Sequence, residues 1–280
     1  MRALLLLLLL ASPAAAVPCG TEGVPPPGAT PRSQGPARGT LLLLGGGEVG
    51  PEVQAEMARL AGGVRAHWVV VVTAASDDDV PGLRLRNPVT PLGQPQVVLH
   101  TRDRAEAGTA AFTAPLEDAT AVWFEGGRQT RLVDAYAGTR TEAALRGVLD
   151  RGGMIAGTSA GATVQGDHMV RAGGGGIVPP ARYARGFGYV SNLAVDQHVD
   201  AWNRDMDLVP MVRANPGVLG LGLDEGTGVV VQDGLMRVIG PGRVLVHDGA
   251  DHGPSPFWCL RAGDRLSLAT WTRMPAGAAP

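Results

Sequence analysis

The sequence predicts an α/β domain: a mostly parallel central sheet flanked by helices, with antiparallel hairpins at the C-terminal end. From Thr40 onward, short apolar runs alternate with helical stretches, the pattern of a parallel sheet covered by helices. Glycine-rich turns close several of these runs, and beyond Leu219 the pattern changes to closely spaced, Gly-punctuated strands. A chain of 280 residues with 41 Gly and 22 Pro has the size of one large α/β domain.

Taken in order, Thr40–Leu44 reads as a buried strand ending in Gly45-Gly46-Gly47. Pro51 to Ala61 follows as a helix, with Pro in its first turn and Gly62-Gly63 as its stop. His67–Thr73, Gln96–His100 and Ala121–Phe124 read as the next strands, the last ending in Gly126-Gly127. A helical stretch runs from Gln129 towards Arg151 and breaks near Gly138, its second part capped by Thr141. Gly153–Gly157 is a short strand, and Gly228–Gln232, Leu235–Ile239 and Arg243–Val246 are expected to close the sheet.

Before Thr40 the sequence changes character. Arg2, the Leu4 to Leu10 run and Ala14-Ala15-Ala16 form an export signal over residues 1–16, too short to span a bilayer. Residues 17–39 are rich in Pro, Gly and small polar residues and read as a flexible linker, so the domain is expected over 40–280. Export provides an oxidising compartment. The two cysteines, Cys19 and Cys259, are then either bridged or two separate thiols, and two cysteines make no zinc site.

Composition excludes several classes of function. The 45% apolar content suits a buried core, and a net charge of −2 without a basic stripe argues against nucleic-acid binding. There is no Lys anywhere, which removes Schiff-base and phosphate-loop lysine mechanisms. No later segment reads as membrane-spanning. Asp77-Asp78-Asp79 reads as a solvated loop beginning a helix, since consecutive carboxylates do not converge easily on one ion. Neither a metal nor an organic cofactor is expected.

Open α/β sheets place their sites at the C-terminal ends of strands. At one such end stands Gly157-Thr158-Ser159-Ala160-Gly161, after an apolar strand and before Ala162-Thr163-Val164. A strand-to-helix turn of small residues presents the serine oxygen above the sheet, and the helix N-terminus supplies N–H groups for an oxyanion. Ser159 is therefore the candidate nucleophile. Of six histidines, His198 stands out because Asp196-Gln197-His198 gathers polar side chains at a strand end, where they can hold an imidazole and contact substrate. His168 is expected on the far part of the helix that starts behind Ser159.

These segments resemble the cyanophycinase and dipeptidase E family of serine peptidases, within the flavodoxin-like, class I glutamine amidotransferase-like fold. The resemblance runs from about Leu41 to Val246. It rests on Gly45-Gly46-Gly47-Glu48, Gly126-Gly127-Arg128-Gln129, Gly157-Thr158-Ser159-Ala160-Gly161-Ala162, Asp196-Gln197-His198 and Gly222-Leu223-Asp224-Glu225-Gly226-Thr227. It implies Ser159 as nucleophile, His198 as its base, and the N–H groups of Gly127 and Ala160 as oxyanion hole. Gln129, Asp196, Gln197 and Arg204 are the expected substrate contacts. It also implies a peptide or isopeptide substrate, and a homodimer as an expected partner.

Two departures stand out. The resemblance implies a third, acidic residue between nucleophile and histidine, but no Asp or Glu occurs from His168 through Val195. The acid then comes from Asp167, Asp196 or Glu225, or the site is a Ser–His dyad, or the chain binds peptides without cutting them. Second, the resemblance implies several arginines after the histidine, whereas only Arg204 matches; Trp202 and Asp207 stand where others are expected. Cyanophycin itself thus fits poorly, and a differently substituted peptide, β-aspartyl or otherwise, is the expected substrate. An esterase using the same Ser159 is the third reading.

Overall fold

The structure, a computed structural model, describes residues 17–23, 32–170 and 185–275; residues 1–16, where an export signal is expected, lie outside them. In chain order the elements are β1 (Thr40–Leu44), α1 (Pro51–Leu60), β2 (Trp68–Val71), α2 (Val80–Leu85), β3 (Gln96–Leu99), α3 (Arg104–Ala107), α4 (Ala110–Glu117) and β4 (Ala121–Phe124). There follow α5 (Gln129–Tyr136), α6 (Arg140–Asp150), β5 (Met154–Thr158), α7 (Ala160–Thr163), β6 (Gly166–His168), β7 (Val190–Gln197), α8 (Val209–Ala214) and β8 (Leu219–Leu223). The chain ends with β9 (Gly228–Gln232), β10 (Leu235–Ile239), β11 (Arg243–His247), β12 (Trp258–Arg261), β13 (Arg265–Ser267) and β14 (Arg273–Met274).

One nine-stranded sheet has the order β14-β13-β10-β9-β1-β5-β4-β2-β3. Its β1, β5, β4, β2 and β3 run parallel, while β9, β10, β13 and β14 add antiparallel pairings. Apart from the edge strand β3, the parallel strands are buried on both faces, which is why they read as unbroken apolar runs. Leu41 and Leu43 of β1 face one core layer with Leu132, Leu145 and Val148 of the helices; Leu42 and Leu44 face the other, with Val53 and Met57 of α1. That alternation is the period of two expected of a strand.

The expectation of a single sheet is corrected. A second sheet of five strands has the order β12-β11-β8-β7-β6, with β6, β7 and β8 parallel and β11 and β12 antiparallel to their neighbours. Arg243–His247 therefore pairs with β8 and β12 instead of extending the β9–β10 hairpin. Periodicity marks a strand without marking its partner, so the Gly-punctuated run looked like one sheet. Two local expectations also change. His168 lies on β6, because α7 ends at Thr163. The cap of α6 is Thr139, whose hydroxyl accepts from the Thr141 N–H, while Thr141 itself is buried and donates to the Ala107 carbonyl.

The described parts of the segment before β1 are fastened to the domain. Cys19 is disulfide-bonded to Cys259. Gly20 bridges Trp258, Val17 O accepts from Arg243, and Ser33 is buried with its N–H on Leu268 O. No helix among the described residues is long and apolar enough to cross a membrane.

Candidate active site

Strands β1, β5 and β4 are neighbours and parallel, so the turns that follow them meet at one edge of the large sheet. The parallel pair β7–β8 of the small sheet delivers its own C-terminal ends to the same place. From β5 comes Ser159, at φ 51 and ψ −114, a left-handed conformation that costs a non-glycine residue about 1–3 kcal/mol. The backbone holds it there: Ser159 N–H donates to Leu44 O at 2.9 Å, while the Ala162 and Thr163 N–H groups take up its carbonyl. A Cβ on Gly157 would lie 2.3 Å from Gly161 O, so the sharp turn needs small residues on either side.

His198 follows β7 and Glu225 follows β8. Ser159 Oγ lies 2.9 Å from His198 Nε2, and His198 Nδ1 lies 2.6 Å from Glu225 Oε1. With the carboxylate ionised, Nδ1 carries the proton and donates it to Glu225, leaving Nε2 to accept from the serine hydroxyl. The acid thus comes from beyond the histidine, and not from the segment between serine and histidine where the resemblance put it. Asp167, the other main candidate, belongs elsewhere. Its carboxylate accepts from the backbone N–H groups of Asn192 and Leu193 and pairs with His168 at 2.8 Å. Burial opposes its charge, but these bonds hold its carboxyl below the usual carboxylate value.

The triple glycine after β1 is the bed of this arrangement, a role that sequence reasoning missed. Gly46, at φ +101, packs so close to the imidazole that a Cβ would lie 2.1 Å from His198 Cε1. A Cβ on Gly47 would lie 2.7 Å from Glu225 Cβ. Gly45 O accepts from His198 N–H and Gly46 O from Gly226 N–H, each at 2.8 Å. The signal was present as three consecutive glycines at a strand end, but nothing in the sequence said what approaches them.

Gly127 follows β4 at φ +133, where a Cβ would lie 2.2 Å from Ala74 O. Its neighbour Gly126 adjoins the nucleophile, a Cβ there falling 3.5 Å from Ser159 Cβ. Ala160 is the first residue of α7. Gly126 and Ala160 therefore adjoin Ser159, with Gly127 one residue further along. A cleft of about 430 Å3 opens beside this turn, lined by Ser76, Asp79, Leu83, Glu125, Gly126 and Gly127 among others.

The remaining expected contacts lie deeper. Gln129 is buried at the start of α5. Asp196 is fully buried, accepts from the Gln197 N–H, and lies 3.6 Å from Arg204. Arg204 donates to Gln197 O at 3.1 Å and stacks over Trp202. Gln197 Oε1, by contrast, is buried with no partner among the described residues, as is Thr158 Oγ1. Of the other histidines, His252 pairs with Asp248 at 2.9 Å, and His247 is buried with its pKa pushed down to about 3, chiefly by desolvation. Asp205 is buried and paired with Arg243 at 2.6 Å. Asp77, in the acidic run, pairs with Arg102 at 2.8 Å.

Comparison with known proteins gives a consistent picture. Peptidase family S51 matches residues 41–239. The chain is 33% identical over 262 residues to the cyanophycinase of Trichormus variabilis, spanning 84% of this chain and 88% of that protein. It is 33% identical over 240 residues to the cyanophycinase of Geminocystis herdmanii, spanning 82% and 88%. The crystal structure of a peptidase from an acI-B1 Actinobacterium superposes with a TM-score of 0.68 at 25% identity, covering 84% of this chain and 98% of that one. A putative peptidase E protein from Listeria monocytogenes shares the fold, with a TM-score of 0.53 at 12% identity over 74% of this chain and 100% of that one. The chain belongs to peptidase family S51 and is a serine-type peptidase.

Proposed function

We propose that this protein is an exported serine peptidase that hydrolyses a peptide or isopeptide amide, β-aspartyl-linked amides included, through an acyl-enzyme on Ser159. The observation that carries this reading is the continuous hydrogen-bonded line from Ser159 Oγ to His198 and on to Glu225. His198 Nε2 takes the hydroxyl proton as Oγ attacks the amide carbon. The C–N bond then breaks, and the imidazolium returns that proton to the leaving amine. Water, deprotonated by the same nitrogen, adds to the ester and releases the acid. Glu225 stabilises the imidazolium, and the N–H groups of Gly127 and Ala160 meet the developing oxyanion.

Glu225 on Nδ1 favours an active enzyme over a binding-only homologue, a reading that rested on a missing acid. The cyanophycinase relatives support a β-aspartyl amide as the first class to try. Arg204, however, is engaged by Gln197 O and Asp196, and Trp202 stands where the resemblance implies an arginine. We therefore favour a peptide other than cyanophycin. Export is supported by the leader-like N-terminus and by the Cys19–Cys259 bond, which needs an oxidising compartment.

The test is turnover of β-aspartyl and α-linked dipeptides, and of simple acyl esters, by the purified chain and by Ser159→Ala. Amide cleavage lost in the variant is expected. Cleavage of esters alone would make the protein an esterase, and no turnover at all would favour the binding-only reading.

A further inference from the structure

The Trp202 indole stacks on the His198 imidazole, with ring centroids 4.3 Å apart and planes within 9° of parallel. Core packing does not explain an indole here, because Trp202 is 55% exposed. It is nonetheless held in place. Its backbone N–H donates to His198 O at 3.0 Å, and the Arg204 guanidinium lies 4.2 Å over its ring. Arg204 is itself fixed by Gln197 O and lies 3.6 Å from the carboxylate of the fully buried Asp196. A line of contacts therefore runs from the interior of β7 out to one face of the imidazole.

We propose that Trp202 is a positioning residue that fixes the plane of the His198 ring between Ser159 and Glu225. The inference rests on the serine-peptidase reading above, in which His198 is the base. Beyond its close packing on Gly46, the ring needs such a hold because its hydrogen-bonded tethers are weak or transient. Terminal torsions of histidine are broad. The Glu225 side chain is 41% exposed, so water competes for its bond to Nδ1. The bond to Ser159 breaks in each turnover, when Nε2 must carry a proton from Oγ to the leaving amine without tilting. Stacking resists tilt while leaving both ring nitrogens free, which no further hydrogen bond would do.

The experiment measures inactivation by a fluorophosphonate, resolved into kinact and KI, for the full chain, Trp202→Ala and Trp202→Phe, with Ser159→Ala as the unlabelled control. A small displacement of a catalytic group costs up to about a hundredfold. We expect Trp202→Ala to lower kinact by about ten- to a hundredfold with KI unchanged, and Trp202→Phe to recover most of the rate. An exposed side chain contributes little to stability, so the melting temperature should stay within about 2 °C. Wild-type kinact in Trp202→Ala would overturn the proposal, as would a loss that Trp202→Phe fails to restore. A folded wild type that takes no label would sink the peptidase reading instead. The positioning claim then stands or falls on the His198 ring protons: upfield-shifted and sharp in wild type but broadened in Trp202→Ala if it holds, sharp in both if it does not.

Discussion

Ser159, His198 and Glu225 come from three strand ends, and Glu225, its side chain 41% exposed, is the least buried of them. Replacing Glu225 by Gln keeps the shape of the side chain but removes the charge that stabilises the imidazolium and fixes its tautomer. By analogy with other triads we expect the acylation rate to fall by on the order of 10⁴, with Ser159 still in place. A loss of less than tenfold in stopped-flow acylation would mean a working Ser–His dyad. Gly46 offers a second probe at this scale. A Cβ there would lie 2.1 Å from His198 Cε1, at a φ of +101 that L side chains rarely adopt. We expect Gly46→Ala to fold, as read by circular dichroism, yet to lose fluorophosphonate labelling because the imidazole is pushed off line. Normal labelling would show that the turn yields more readily than the ring.

At the scale of elements, the site depends on how the turn after β7 is held against the small sheet. Arg243 of β11 is the clamp: it reaches Asp205 at 2.6 Å, and Asp224 and Asp200 at 3.5 Å, with its side chain only 10% exposed. Burial raises the Asp224 carboxyl above its usual value, partly offset by the Arg243 backbone N–H and guanidinium. Removing one partner of a buried ion pair strands the other, at a cost of about 3–5 kcal/mol. We expect Arg243→Ala to lose roughly that much in urea unfolding, whereas a loss below about 1 kcal/mol would show that water replaces the guanidinium. Sequence reading found the strands of this region but not their company. The run Arg243–Val246 carries the right alternation, yet its partners β8 and β12 are set by burial against the large sheet, which a local pattern does not contain. Likewise no local pattern marks Asp205 as buried, because the cation that pairs with it lies 38 residues away. The nucleophile turn was legible for the opposite reason: small residues, strand and helix all fall within one short segment.

For the molecule as a whole, acid sensitivity follows from a histidine outside the site. His247 is buried, its pKa pushed from the model-compound value of 6.5 down to about 3 by desolvation and, less, by the neighbouring charge on His252. The folded chain keeps it neutral while the unfolded chain protonates it. Stability is therefore fully present above pH 6.5, is lost as pH falls from 6.5 towards 3, and loses no more below that. Between pH 7 and 4.5 this amounts to roughly 2–3 kcal/mol. Urea unfolding at the two pH values checks it: His247→Leu should show a smaller drop than wild type by about that amount, and an equal drop would assign the sensitivity to other groups. The third acid was legible only as a short set of candidates. Glu225 sits in a Gly-rich segment after β8, and only the parallel pairing of β7 with β8 brings it to His198.

The most direct test of the central claim, that Ser159 is activated by His198 and Glu225, is intact mass after incubation with a fluorophosphonate. The expected result is one adduct per chain on wild type, none on Ser159→Ala, and a strongly slowed adduct on Glu225→Gln. A folded wild type without an adduct, or one equally labelled in Ser159→Ala, would contradict it.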